Sequence, residues 1–191
     1  MTSGSADRDR LLALLRERSV HTGEFVLSSG ARSSWYIDAR LTTMSGAGQF
    51  LIGRVALTAL DDRGWAPDAV GGLTLGADPV AYAIAHAAAL AGRPLNAFTV
   101  RKQPKQHGAE RLIEGPFSAG SEVVVIEDVI TTGESALRAA AALDEAGARV
   151  RGVLALVDRE EGGRQRLHDQ DFELLALFTR TMLLEDAIAP R

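Results

Sequence analysis

The sequence predicts an α/β protein whose central parallel sheet is flanked by helices. Three observations lead there. Apolar runs such as Val123-Val124-Val125-Ile126 are continuous rather than alternating, the pattern of strands buried on both faces. Segments of helical spacing with glycine stops separate these runs. The chain has 191 residues, 46% of them hydrophobic, enough for one well-cored domain and too few for two.

Taken in order, residues up to about Ser5 read as a disordered lead, and Asp7 to Arg18 as a helix carrying leucines 11, 12, 14 and 15. Asp7 and Asp9 are expected near its N-terminal dipole. Two short β-like pieces follow, Glu24 to Leu27 and Trp35 to Ile37, with a turn at Ser28-Ser29-Gly30. Ser45 is placed to cap a helix that runs to Asp62 and stops at Gly64. The rhythm then becomes regular. Strands are expected at Asp68–Leu73, Leu95–Arg101, Glu122–Glu127, Val150–Val157 and Phe172–Phe178. Helices are expected at Asp78–Ala91, about Gly133–Ala146 with Gly147 as its stop, and around Leu167. The stretch Gln103 to Gly120 is polar, glycine-containing and unpatterned, which in a compact domain marks a functional or mobile loop.

Composition narrows the function classes. A net charge of -4 argues against a broad nucleic-acid surface. The absence of cysteine excludes disulfides, thiolate metal sites and a cysteine nucleophile. Met1 to Arg10 lacks the apolar core of a signal peptide, and the apolar stretch Pro79 to Gly92 falls short of the ~20 residues that cross a bilayer. A soluble, cytoplasmic protein without membrane or nucleic-acid partners is expected.

In a parallel sheet, ligands sit at the carboxyl ends of the strands, so the residues after each strand carry the question of function. The run Val123 to Ser135 holds most of the answer. A buried strand ends in the carboxylates Glu127 and Asp128, and the chain then turns through Thr131-Thr132-Gly133-Glu134-Ser135 into a helix. Backbone N–H groups and three hydroxyls gathered at a helix N-terminus suit a phosphate monoester. Two adjacent carboxylates suit the paired hydroxyls of a ribose. Together these features describe a ribose 5-phosphate held at both ends.

The segment Glu127-Asp128-Val129-Ile130-Thr131-Thr132-Gly133-Glu134-Ser135 resembles the ribose-phosphate motif of the type I phosphoribosyltransferases. The resemblance covers about residues 20 to 180 and implies that family's fold: a central parallel sheet flanked by helices, with a small N-terminal hood. The chain 1–191 is then a single domain, about 1–40 forming the N-terminal helix and hood and about 41–180 the α/β core. The resemblance also implies that this segment binds 5-phosphoribosyl 1-pyrophosphate (PRPP), with Asp128 stabilising positive charge on the ribose.

A second signal is Arg101-Lys102-Gln103-Pro104-Lys105-Gln106-His107-Gly108, a basic cluster in an acidic protein. Placed cations stabilise a leaving pyrophosphate more as its bond breaks, and a closing loop excludes water. This run resembles the catalytic loop of orotate phosphoribosyltransferases in particular. That implies catalytic roles for Lys102, Lys105 and His107. Lys102 would act in its own subunit, while Arg101, Lys105 and His107 would reach a neighbour's site, making the functional unit a homodimer with shared active sites.

The remaining expectations concern the acceptor and the pyrophosphate. Glu24 to Gly30 with Trp35 to Asp38 resembles the hood of the orotate enzymes, which implies that Tyr36 and Ile37 border the base. Arg159 follows the fourth sheet strand, and an arginine fork is the natural partner for a carboxylate such as orotate's. In the family, the residues matching Arg159 and Thr131 contact orotate. The loop Thr74-Leu75-Gly76 fits the family's pyrophosphate loop. Two departures stand out: Ser28 and Leu75 occupy places where many orotate enzymes carry lysine. His86 and His168 read as structural, and His21 has no interpretable context.

The resemblance implies Mg²⁺-dependent transfer of the phosphoribosyl group from PRPP to orotate, giving orotidine 5-phosphate and pyrophosphate in pyrimidine (UMP) biosynthesis. The metal is expected to be held chiefly by the donor, with no direct protein ligand, and the length leaves no room for a fused decarboxylase. Transfer to a purine or uracil, and a non-catalytic PRPP sensor, are the competing readings. The hood, the basic loop and Arg159 oppose the first, and the absence of a DNA-binding helix pair opposes the second.

Overall fold

Leu11 and Leu15, one helical turn apart and fully buried, anchor α1 (Ser3–Arg18). The computed structural model describes residues 3–26, 32–103 and 112–185. The helix begins at Ser3, inside the stretch expected to be a disordered lead, because the leucine face propagates it back through Gly4 and Ser5. Asp7 therefore lies within the helix. It serves a tertiary contact rather than the dipole, accepting from Arg54 Nε at 2.6 Å.

β1 (Val20–Val26) and β2 (Arg32–Ile37) pair antiparallel as a two-stranded hood, with Val20 opposite Ile37. Both strands are longer than their apolar residues suggested, because backbone pairing carries them through polar positions. The expected turn at Ser28-Ser29-Gly30 lies outside the described residues. A single helical turn, α2 (Arg40–Thr43), was not anticipated. α3 (Gly46–Asp62) is capped as expected, the Ser45 hydroxyl accepting from the Gly48 N–H at 3.1 Å.

The core sheet is built from β3 (Ala69–Leu73), β4 (Asn96–Val100), β5 (Ile113–Glu114), β6 (Glu122–Ile130), β7 (Arg149–Asp158) and β8 (Leu174–Thr179). Between them run α4 (Ala77–Leu90), α5 (Glu134–Glu145) and α6 (Gly163–His168), and α7 (Arg180–Leu184) follows β8. The strand order is β5-β4-β3-β6-β7-β8. Five strands are parallel, but β5 runs antiparallel to β4, so the sheet is mixed rather than wholly parallel. That edge strand is only two residues long and lies in the stretch read as unpatterned, too short to leave a periodic signal.

Successive residues of β6 face opposite sides, as a strand requires. Val124 and Ile126 join the cluster formed with α1, α3 and α4, while Val123 and Val125 pack with Ala136, Ala140 and Leu143 of α5. The sheet order places β3 beside both β4 and β6, so the connections diverge to either side of β3. The crevice at the carboxyl ends of β3 and β6 is thus the topological switch point of the sheet. Among the described residues, no helix is long and apolar enough to cross a membrane.

Candidate active site

β6 does not stop at Glu127. It continues through Asp128, Val129 and Ile130, so the two acids sit within the strand's second half, held by its pairing to β7. Strand geometry sends the two carboxylates to opposite faces, and they differ accordingly. Glu127 is 7% exposed, and its Oε1 finds no hydrogen-bond partner among the described residues. Burial, reinforced by the charge on Asp128, pushes the Glu127 carboxyl up to about 8. Burial also raises Asp128, opposed by the Val129 N–H, which donates to its Oδ1 at 2.8 Å, and by the nearby Arg40 guanidinium. Glu127 therefore keeps a proton near neutrality.

The loop Thr74–Gly76 leaves β3 and meets this pair. A Cβ added at Gly76 would stand 2.5 Å from Asp128 Oδ1, so any larger residue here would push the acid's side chain aside. Leu75 between them is exposed. On the other side, the turn Thr131–Gly133 follows β6 directly. Gly133 adopts φ +77° to start α5, and Gly163 of α6 sits beneath it, where a Cβ would lie 2.5 Å from the Thr131 carbonyl oxygen. Thr132, Glu134 and Ser135 are exposed around this helix N-terminus, Thr131 and Val129 are half-buried, and the Ile130 side chain is buried in the core. Any part Ile130 plays must be through its backbone.

Arg159 stands at the end of β7, and its N–H donates to the Ile130 carbonyl at 3.0 Å, tying it to the same turn. The residue is 8% exposed. Its guanidinium lies 4.8 Å over the ring of Trp35 from the hood, and Nη2 pairs with Glu161 at 2.7 Å. Nε is buried without a partner among the described residues. Its surroundings are rigidly specified. Asp158 accepts from the Glu160 N–H at 2.8 Å and pairs with Arg164 at 3.2 Å. Glu160 is held at φ +58°, unusual for a side chain of its kind, while its carboxylate accepts the Thr181 N–H at 3.0 Å and the Thr181 hydroxyl at 2.7 Å. Such over-determination suits a side chain that must wait in one orientation.

In the hood, Trp35 and Ile37 point inward and are buried, while Tyr36 points outward, its ring near His21 and Phe25 at 6.4 and 5.9 Å. Of the two residues expected to border the base, only Tyr36 offers an exposed side chain, because strand alternation turns Ile37 into the core. His21 thus acquires a context, as a ring partner of Tyr36. His168 is on the surface rather than in a packed role, and His86 lines a crevice between α3 and α4.

Arg101 and Lys102 follow β4 at the same edge of the sheet. Arg101 donates its N–H to the Leu112 carbonyl at 2.8 Å and approaches Glu114 at 3.6 Å, and Lys102 is exposed. Lys105 and His107 lie outside the described residues. Among the described residues, no group of three or more His, Asp and Glu side chains comes together to hold a metal.

The fold therefore gathers Thr74–Gly76, Arg101, Lys102, the acid pair, the Thr131–Ser135 turn and Arg159 along neighbouring strand ends. It also reveals residues that sequence reasoning missed. Trp35 carries Arg159 on its face, with Arg180 at 5.6 Å from the same ring. Arg40 is gripped by Asp38 through Nε at 2.8 Å and Nη2 at 3.1 Å, close enough to influence Asp128. The Asp38-Ala39-Arg40 spacing was visible in the sequence, but nothing local tied it to Asp128.

No protein-family model matches the chain. Curated relatives do. An orotate phosphoribosyltransferase of Aquifex aeolicus is 45% identical over 181 residues, covering 93% of this chain and 98% of the relative. One from Corynebacterium glutamicum is 52% identical over 155 residues, covering 81% and 82%. Among solved structures, the Mycobacterium tuberculosis orotate phosphoribosyltransferase in complex with Fe(III) dicitrate superposes with a TM-score of 0.83 at 43% identity, over 93% of this chain and 98% of that one. The same enzyme in complex with PRPP gives 0.78 at 40% identity, with equal coverage.

Proposed function

The chain belongs to the orotate phosphoribosyltransferase family, and from that premise we propose that it performs the Mg²⁺-dependent transfer of the 5-phosphoribosyl group from PRPP to orotate. The products are orotidine 5-phosphate and pyrophosphate, the step that commits orotate to UMP. The observation that carries this reading is that an acid pair, a Thr/Gly turn at a helix start and a preoriented arginine stand on neighbouring strand ends.

Each group has a task in that reaction. The amides and hydroxyls of Thr131 to Ser135 hold the donor's 5-phosphate. Glu127 and Asp128 accept the ribose hydroxyls, and the charge on Asp128 favours the oxocarbenium-like sugar as the C1–O bond breaks. The backbone of Thr74, Leu75 and Gly76 faces the pyrophosphate. Arg101, Lys102, Lys105 and His107 bring positive charge to the leaving group, and His107 can donate a proton to it. Arg159, with Thr131, grips orotate's carboxylate, and the Tyr36 side chain and the Ile37 backbone border its ring.

Mg²⁺ is a hard cation that takes oxygen ligands and keeps several waters, and when bound it neutralises the pyrophosphate. Glu127 and Asp128 fit that chemistry as oxygen acceptors and would receive hydrogen bonds from its waters, while the donor would hold the ion itself. The unit acts as a single phosphoribosyltransferase domain in a cytoplasmic homodimer, in which Arg101, Lys105 and His107 serve the neighbouring site.

The test is a competition among bases. The protein, PRPP and Mg²⁺ are mixed with orotate, uracil, adenine and hypoxanthine in turn, and loss of each base is followed by its ultraviolet absorbance. Orotate alone is expected to be consumed, and only with Mg²⁺. Consumption of a purine or uracil instead would overturn the acceptor assignment.

A further inference from the structure

Asp78, in the first turn of α4, is an acid at the edge of a site meant for a polyanion, and it is 8% exposed. Its carboxylate accepts from the Thr74 hydroxyl at 2.7 Å and from the Thr99 hydroxyl at 2.8 Å. The Tyr82 hydroxyl stands 3.0 Å from Thr99 Oγ1. Both threonine hydroxyls are the donors in these bonds. Thr99 has one proton, already given to Asp78, so Tyr82 must donate to Thr99. The chain of donors has a single direction and ends at Asp78.

These partners matter because of where they stand. Thr74 opens the loop that leaves β3, and its own N–H donates to the Val100 carbonyl at 2.8 Å. Thr99 lies in β4, two residues before Arg101. Asp78 thus pins the start of the loop to the strand that delivers the basic residues, while Gly76 at the loop's other end is packed on Asp128. Between these two fixed points, Leu75 offers no charge. With no lysine in the loop, its own hold on an anion comes from correctly aimed backbone amides, and such amides are worth little if the loop moves.

We propose that Asp78 is a positioning residue for the donor: its carboxylate, locked by Thr74 and Thr99, fixes loop 74–76 in the shape that receives pyrophosphate. This rests on the reading of that loop as the pyrophosphate loop. The carboxylate is buried and both its oxygens are taken by the two hydroxyl donors, so Asp78 acts through Thr74 rather than by contact.

The experiment uses the full chain with two substitutions, Asp78→Asn and the isosteric Thr99→Val. KM is measured for PRPP and for orotate, and pyrophosphate binding with Mg²⁺ is measured by calorimetry. Both variants are expected to raise KM for PRPP and Kd for pyrophosphate about 10-fold, the scale of one lost hydrogen bond to a charge, with KM for orotate changed less than about two-fold. A merely structural role would lower the folded fraction and leave both constants of the folded enzyme unchanged. Equal movement of the two KM values, or movement of neither, overturns the proposal. If Asp78→Asn does not fold, Thr99→Val decides alone, since it removes one hydroxyl without changing volume. Should the unmodified chain turn over no orotate, the functional reading falls, while the pyrophosphate titration still judges Asp78.

Discussion

Glu127→Gln replaces a buried carboxyl by a neutral isostere, and the structure sets the sign and size of the result. The folded state holds the Glu127 proton up to about 8, against an ordinary 4.5. Below pH 4.5 both folded and unfolded chains carry that proton, and the residue favours neither. Between the two values the unfolded chain is ionised and the folded one is not, so the unfolded chain binds fewer protons and stability falls as pH rises. The slope is about 1.4 kcal/mol per pH unit, which accumulates to roughly 4 to 5 kcal/mol by pH 8. The glutamine variant has no such loss. Thermal melts of both proteins from pH 4.5 to 8.5 should therefore diverge, the variant gaining roughly 10 °C over the parent by pH 8. Ribose hydroxyls donating to the carboxylate reverse the burial effect and favour its ionised form. PRPP binding at pH 7 should accordingly release about one proton from the parent and none from the variant, read by calorimetry in buffers of different ionisation enthalpy. Parallel melting curves across this range would refute the reasoning, because they would mean Glu127 is not desolvated.

Three further substitutions probe the crevice. Gly76→Ala drives a Cβ to within 2.5 Å of Asp128 Oδ1, so kcat/KM for PRPP should fall at least about 100-fold while the melting temperature drops by only a few degrees. Leu75→Lys adds a cation at a position 56% exposed; it should lower KM for PRPP about three- to ten-fold, an effect that fades in high salt, with no change in melting temperature. Arg159→Lys keeps the charge but loses the planar fork stacked on Trp35, so kcat/KM for orotate should fall about 100-fold while PRPP binding, measured by calorimetry, stays the same.

Much of the site was legible because it is local in sequence. The acid pair, the Thr131–Ser135 turn and the Gly133 helix start lie within nine consecutive residues, and continuous apolar strands announced the sheet whose edge they occupy. What escaped notice depends on distant partners. Trp35 reads only as the start of a short β-like piece of the hood until β2 folds it beneath Arg159 and Arg180, which lie more than a hundred residues away. Asp78 reads as the acidic first turn of a helix until β4 brings Thr99 to it. α7 is short and was missed for the same reason, since its start is fixed by the Thr179 hydroxyl and by the Glu160 carboxylate from another loop. The strand limits were misjudged where backbone pairing, not side-chain pattern, sets them: β6 runs on through Asp128 because β7 is there to pair with it.

A crystal structure of the protein with PRPP, Mg²⁺ and no base tests the arrangement most directly. The ribose 2- and 3-hydroxyls should donate to Glu127 and Asp128, and the 5-phosphate should lie on the amides of Thr131 to Ser135. Donor bound elsewhere, or the acids turned away from the sugar while the phosphate sits on another helix, would contradict the account.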